Sequence, residues 1–187
     1  AEQASSDRLM NAIAALVAIL ATVMAVFNIK DGNIVQAMAQ AQAKSVSAWT
    51  YFQAKSTKQN LAESMLDQLT FERERGALTP EAAALLDRKI ESYRERVARY
   101  ESEKQEIKQQ AEAFEREYDR LNFHDDQFDI AEAGITVGMA MLGIAALTRR
   151  RWLVGFALVF AVVGVASGVS GFLGTGFHLD AIARLLG

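Results

Sequence analysis

The residues best suited to chemistry form an acidic run just before and within the second long apolar segment. Asp125 and Asp126 follow His124, and Asp129 and Glu132 come soon after them. Because hard cations prefer clustered carboxylate oxygens, these four acidic residues are weak candidates for a cation site. The alternative, which we favour, is that Asp125 or Asp126 caps the helix that follows, where negative charge suits the helix dipole.

The rest of the sequence shows no recognisable catalytic arrangement. The chain has no cysteine, which excludes thiol catalysis, disulfides and thiolate metal sites. Gly171, Gly174 and Gly176 do not form a phosphate-binding loop, since neither a strand nor a lysine accompanies them. We therefore predict a protein that is not an enzyme and that binds no cofactor and no resident metal. A formal net charge of −3 gives no indication of a nucleic-acid partner.

Charge is strongly segregated along the chain. Residues 28–129 contain 15 of the 20 Lys and Arg residues and 19 of the 23 Asp and Glu residues. The flanks contain three apolar runs, at residues 9–27, 130–147 and 152–173. At about 1.5 Å per residue, such runs match the roughly 30 Å hydrocarbon layer of a bilayer. The sequence predicts three transmembrane helices and a separate polar segment.

The first apolar run also has some features of a secretory signal. Val23, Met24 and Ala25 resemble a small-residue cleavage site. However, the run is longer than a usual signal core, and only Arg8 precedes it as a basic flank. We therefore favour a retained membrane helix.

Arg149, Arg150 and Arg151 separate the second and third apolar runs. Each arginine would cost about 2.5 to 3.5 kcal/mol at the centre of a membrane helix, so the three are expected at a water-facing turn. Short basic loops tend to be cytoplasmic, which puts this turn and Arg8 inside and the polar segment outside the cytoplasm. If basic residues farther from the apolar runs are also counted, the two sides of the membrane carry nearly equal numbers of them. Five lie on the other side: Lys30, Lys44, Arg116, Arg120 and Arg184.

The polar segment has the pattern of two long helices. After Pro80, apolar residues alternate at steps of three and four over about five heptads, interrupted only by Lys104, which indicates a coiled coil. Thr79 is suited to cap this helix, and proline is tolerated at its first position. The preceding helix, from Asn33 to about residue 75, has a less regular stripe whose phase slips across residues 56–60.

Folding the chain at residues 76–79 aligns the two apolar stripes. Residues whose numbers sum to about 155 then become partners, for example Leu69 with Leu86 and Trp49 with Ile107. The sequence therefore predicts an antiparallel coiled-coil hairpin standing on the first two membrane helices, with its aromatic residues in the core.

Small residues form lines along each apolar run. Because lipid provides no hydrophobic drive between helices, such lines allow the close backbone contact through which membrane helices associate. One line per helix suffices for a three-helix bundle, and a surplus would indicate contacts between subunits, so we expect a homo-oligomer. In the first run the line contains Asn11, Ala15, Ala18, Thr22 and Ala25. In the other two it contains Gly134, Gly138, Ala157, Ala161, Gly164, Gly168 and Gly171.

Four segments follow from these patterns. Residues 1–27 contain the first membrane helix, 28–129 the hairpin, 130–174 the other two membrane helices, and 175–187 a short interfacial helix. The predicted class is an all-α integral membrane protein.

The sequence after the first apolar run resembles a known bacterial family. The letters KDGNIVQAM at residues 30–38, Trp49 and the QAK run at 53–55 are similar to the family called domain of unknown function 4337, and the similarity covers essentially the whole chain. Gly32 stands where the family usually has a polar residue, which would loosen the junction between membrane helix and hairpin. The resemblance implies a bacterial inner-membrane protein and brings no assigned activity.

We therefore predict a non-enzymatic membrane scaffold that self-associates in the lipid bilayer and presents its hairpin to a protein partner or to copies of itself. One alternative is a homo-oligomeric cation pore or transporter subunit, with Asp31, Asp129 and Glu132 as acidic rings near its mouth. Another is an accessory subunit of a larger membrane complex.

Overall fold

The computed structural model describes residues 2–174, with side chains from Asp7 onward. This part of the chain consists of three helices and contains no strand: α1 is Glu2–Arg75, α2 is Pro80–Thr148 and α3 is Arg151–Leu173. By length and composition, each helix contains a stretch that is apolar enough to cross a membrane, which suggests a membrane protein. The all-α class with three candidate spans is confirmed. The predicted interfacial helix at 175–187 lies outside the described residues.

α1 and α2 are longer than the elements predicted from the sequence. α1 continues through Gly32, around which there is open space, so the loosened junction expected there is wrong. A single glycine costs a helix only about 1 kcal/mol, which the neighbouring turns outweigh. α2 continues through Asp125 and Asp126. The predicted helix cap is therefore also wrong, because no helix begins at those residues.

The ends of the helices follow local chemistry. The Thr79 side-chain oxygen accepts a hydrogen bond from the Ala82 N–H at 3.3 Å, and Pro80 is the first helical residue, as predicted. Between α2 and α3, Arg149 has a left-handed backbone (φ 56°) and Arg150 is extended, so the turn contains only these two residues. α3 ends where Gly174 adopts φ 68° and donates its N–H to the Ser170 carbonyl.

The described chain divides into two compact units. The bundle unit comprises the residues up to Ala39 and those from Tyr118 onward, and the arm unit comprises Gln40–Glu117. The arm unit is thus shorter at both ends than the predicted polar segment 28–129.

The bundle unit has a continuous apolar core. Ile135 and Leu142 of α2 are completely buried, and Leu20 of α1 and Leu153 of α3 belong to the same cluster. Phe27 packs edge to face against Phe128, with ring centroids 5.8 Å apart.

The arm unit has a smaller apolar cluster and many polar contacts. Leu69 of α1 packs with Leu86 and Ile90 of α2. Elsewhere in the arm unit, long side chains join α1 to α2 through hydrogen bonds and ion pairs. The pairs are Trp49 with Glu115 at 2.7 Å, Lys55 with Glu103, Lys104 with Gln59 at 2.9 Å and Arg73 with Asp87 at 2.8 Å.

Candidate functional site

Acidic residues from two helices meet in the bundle unit. Asp125 lies on α2, and α1 brings Asp31 close enough that each carboxyl group changes the pKa of the other. An ionised carboxylate has only acceptor atoms, so a hydrogen bond between the two groups forms only when one of them is protonated. The structure therefore assigns Asp31 to the acidic cluster as the partner of Asp125.

Burial and mutual repulsion both favour the protonated form of this pair, which lies outside the apolar segments 9–27 and 130–147. Burial, followed by the charges of Asp31 and Asp129, raises the pKa of Asp125 to about 6. Burial also raises the pKa of Asp31, and the charges of Asp129 and Glu132 act in the same direction, while the hydrogen bond with Asp125 opposes them. Asp129 is exposed overall, but its neighbours still exclude part of its solvent, and this desolvation, followed by the charge of Asp126, raises its pKa.

The predicted cation candidates are not gathered into a ready-made metal site. Asp126 is half-buried, whereas Asp129 and Glu132 are exposed. Within residues 2–174, no group of three or more His, Cys, Asp or Glu side chains is arranged to hold a metal ion. In the same part of the chain, the buried Oδ1 atom of Asp31 has no hydrogen-bond partner.

A buried polar network adjoins the acidic cluster. Gln127 is fully buried; its Oε1 lies 3.5 Å from His124 Nδ1, and its Nε2 donates to Ser170 Oγ at 3.4 Å. Ser167 Oγ donates to the Gln127 carbonyl at 2.9 Å. The network thus ties α2 to α3 by side-chain hydrogen bonds. The sequence analysis missed it, although two serines three residues apart in an apolar run were an available signal.

The predicted glycine positions of α2 and α3 lie where these helices touch. An added Cβ on Gly164 would lie 2.8 Å from the Ile135 nitrogen, and one on Gly134 would lie 2.9 Å from the Gly164 Cα. One on Gly138 would lie 3.1 Å from the Ala157 carbonyl oxygen and 3.2 Å from the Ala161 Cβ. The two helices therefore approach to backbone contact.

The last two glycines of this line pack against aromatic rings. Gly168 faces the ring of Phe27, so that a Cβ there would overlap the ring. A Cβ on Gly171 would lie 3.1 Å from the ring of Phe128. All seven predicted packing residues of α2 and α3 thus have neighbours within the chain.

The small-residue line of α1 has a different environment. All five of its residues are exposed: Asn11, Ala15, Ala18, Thr22 and Ala25. The opposite face of the helix, with Ile13, Leu20 and Phe27, is buried in the bundle core. A shallow groove of about 290 Å³ runs beside the line, against Ala18 and Thr22.

The three arginines that were predicted to mark a turn lie at the junction of α2 and α3. Arg149 and Arg150 are outside both helices, Arg151 is the first residue of α3, and all three are exposed. Trp152 is exposed beside them.

Comparison with protein families identifies a match over most of the chain. A sequence model of a family, described as Domain of unknown function (DUF4337), matches residues 9–174. No curated protein and no solved structure matches the chain.

Proposed function

The chain belongs to the DUF4337 family, as the resemblance at residues 30–38, Trp49 and residues 53–55 predicted, and from this premise we propose that it is a non-enzymatic scaffold of the bacterial inner membrane. The family description assigns no activity, so the proposal rests on geometry. In this proposal the protein self-associates within the bilayer and presents a helical hairpin outside it.

One observation carries the self-association. The small-residue lines of α2 and α3 are covered by other residues of the same protomer. The line of α1, by contrast, is exposed on the side opposite the core. Small residues allow close helix contact in lipid, and the amide of Asn11 adds a group that forms hydrogen bonds across membrane helices. The exposed line of α1 is therefore the surface on which a second copy packs.

Mass measurement of the detergent-solubilised protein tests this. The wild type is expected as an oligomer, and Ala18→Leu should shift it towards the monomer, because a bulky side chain on the line holds two copies of α1 apart. Ala21→Leu is the matched control, since Ala21 is exposed on α1 but lies off the line. A monomeric wild type, or equal effects of both substitutions, would contradict the proposal. Heterologous chains that co-purify would instead support the accessory-subunit alternative.

The hairpin is supported by the order of contacts in the arm unit. The α1 partners Trp49, Lys55 and Arg73 contact α2 at Glu115, Glu103 and Asp87, so that numbers rise on one helix as they fall on the other. The apolar cluster includes Leu69 and Leu86, which sum to 155 as the sequence analysis expected. These contacts support an antiparallel coiled coil.

We place the hairpin in the periplasm and the Arg149–Arg151 turn in the cytoplasm. The support is the positive-inside tendency of short basic loops. The chain has no cysteine, so single thiols introduced at the exposed positions Ser102 and Thr148 report one side each. An impermeant thiol reagent added to cells with a permeable outer membrane should label Ser102→Cys and leave Thr148→Cys unlabelled. The reverse pattern would invert the topology.

A cation pore is the second candidate, because Asp129 and Glu132 are exposed beside the Asp31–Asp125 pair. In an oligomer, such residues form acidic rings that attract cations. Cation flux into liposomes that disappears with Asp129→Asn and Glu132→Gln would favour this candidate. Flux that is absent from the wild type, or unchanged in both variants, would remove it.

A further inference from the structure

Two adjoining grooves on the arm unit form a basic surface that none of the preceding functions uses. The larger groove, of about 460 Å³, is lined by α2 side chains that include Glu95 and Arg99. The smaller, of about 280 Å³, extends from Lys89 to α1. Ser92 and Arg96 line both grooves. We call the combined surface the basic groove.

Two of the three cations of this groove form no ion pair with the described chain. Other cations of the arm unit bind its carboxylates, as Arg73 binds Asp87 and Lys108 binds Glu112. Within residues 2–174, by contrast, Lys89 has no ion-pair or hydrogen-bond partner. An unpaired surface lysine is common by itself, but here it lies in one groove with two arginines.

The arginines of the groove are held by aromatic rings. Arg96 lies over the ring of Tyr93 at 5.0 Å, and Arg99 lies over Tyr100 at 5.5 Å. A cation–π contact positions a guanidinium without using its N–H donors. In the described chain, Arg99 forms one ion pair, with the carboxylate of Glu103 at 3.8 Å. Within residues 2–174, Arg96 forms no ion pair and no hydrogen bond, so its N–H groups are available to a ligand.

The charge of the lining indicates the class of ligand. The lining side chains Lys89, Arg96, Arg99 and Glu95 carry a net charge of +2, and Glu103, outside the lining, pairs with Arg99. A phosphate monoester carries a charge of about −1.5 to −2 at neutral pH and three acceptor oxygens, whereas a carboxylate carries one charge and two oxygens. Arginine binds phosphate through two parallel N–H donors, lysine adds a point charge, and the Ser92 hydroxyl adds a further donor.

The remaining wall of the smaller groove is apolar. It is formed by Met65 and Leu69 from α1 and by the ring of Tyr93 from α2. A ligand whose phosphate contacts Lys89 and Arg96 would place its organic part against this wall. We propose that the basic groove is a binding site for a phosphate monoester, carried either by a small soluble molecule or by a lipid headgroup.

Titration of the full chain in a zwitterionic detergent tests the site. Glycerol 3-phosphate is the soluble probe, measured by calorimetry at low ionic strength, because salt screens an exposed site of this kind. Flotation with vesicles of phosphatidylcholine, with and without phosphatidic acid, presents the same phosphate monoester on a lipid. Saturable binding of about one glycerol 3-phosphate per protomer supports a soluble ligand, and binding only to phosphatidic acid vesicles supports a lipid. Absence of both at probe concentrations of about 10 mM would overturn the proposal.

Charge variants distinguish binding in the basic groove from a general attraction of anions to the protein. Arg96→Gln and Lys89→Gln should each weaken binding about tenfold or more, because each removes a charge-assisted hydrogen bond. Glu95→Gln should strengthen binding, since it removes the one repelling charge of the lining.

Arg94→Gln is the matched control, because Arg94 is an exposed arginine of the same helix that pairs with Glu91 at 3.6 Å and lines neither groove. It should leave the affinity unchanged. Equal losses from Arg94→Gln and Arg96→Gln would overturn the site. Arg96→Lys, which keeps the charge without the planar fork, should retain part of the affinity, and circular dichroism of each variant checks that the helices are intact. The site does not depend on self-association of the protein.

Discussion

The bundle unit and the arm unit use the same element, the long α-helix, but they join helices in different ways. In the bundle unit, Gly134 and Gly164 bring α2 and α3 to backbone contact. In the arm unit, the charged ends of long side chains such as Lys55 and Arg73 reach from α1 to α2. Apolar surroundings give no reward for burying large apolar side chains between helices, so close contact of small residues stabilises the pair. In water, the burial of larger side chains supplies that stability, and wider spacing is sufficient.

The arm unit also contains a polar layer that has no counterpart in the glycine contact. Lys104 interrupts the apolar stripe of α2, and Gln59 lies in the stretch where the stripe of α1 slips. These two irregularities meet, since Lys104 Nζ donates to Gln59 Oε1 at 2.9 Å and also contacts Glu101 at 3.3 Å. We interpret the layer as a device that fixes the register of the two helices, as single polar core residues do in coiled coils.

The largest effect should come from filling the glycine contact. Gly164→Ala places a methyl group 2.8 Å from the Ile135 nitrogen, and the backbone there cannot move without separating α2 from α3. We expect a loss of about 2 kcal/mol in the free energy of unfolding, measured by denaturation in detergent followed by tryptophan fluorescence.

Gly155→Ala is the control for this contact. Open space surrounds Gly155, so its substitution should be neutral or slightly stabilising. Similar losses at both glycines would mean that the close contact does not stabilise the bundle unit.

A smaller effect is expected from the polar layer. Lys104→Ala leaves the largely buried Gln59 without its donor, which should cost about 1.5 kcal/mol. Replacing Lys104 and Gln59 together by leucine should recover that stability, because the buried amide is then removed together with its donor. Hydrogen exchange across residues 50–65 and 97–110 measures both changes. A double variant less stable than Lys104→Ala would contradict this account of the layer.

The Asp31–Asp125 pair should give the bundle unit a pH dependence. The folded pKa of Asp125, about 6, exceeds its ordinary value of 3.8, so the folded state binds the proton more tightly than the unfolded state. The stability from this proton is fully present below about pH 4 and is lost as the pH rises through about 6. After solvent screening, we expect about 1 kcal/mol over this range.

Asp125→Asn should flatten this part of the pH profile, measured as the unfolding midpoint between pH 4 and pH 7. Asp67→Asn, on the exposed surface of the arm unit, should leave it unchanged. A slope that persists in Asp125→Asn would assign the pH dependence to other groups.

The smallest effect should come from the ion pair between Arg73 and Asp87. Its atoms are 2.8 Å apart, but both side chains are largely in solvent, which screens their attraction. Arg73→Gln should therefore leave the thermal midpoint of the arm unit within about 1 °C of the wild type. A larger decrease would show that the end of the arm unit depends on this pair.

Several features of the site were predictable from the sequence, and others were not. Asp125, Asp126, Asp129 and Glu132 stand out because they are close together in the chain. The approach of Asp31 to Asp125 depends on how α1 packs against α2 across more than ninety residues, a distance over which sequence spacing carries no information. The expected cap at Asp125 or Asp126 was wrong because continuous polar and apolar stretches of one helix look like two elements when only composition is considered.

The sequence alone determined the helical class, the three apolar stretches and the position of each turn, because hydrophobic periodicity, Thr79–Pro80 and the three arginines are local signals. Only the tertiary structure decided which small residues meet within the protomer and which remain exposed. That choice depends on the rotation of each helix about its axis, which follows from the simultaneous packing of all three. The same packing put the exposed line on α1 and gave Asp31 its carboxyl partner.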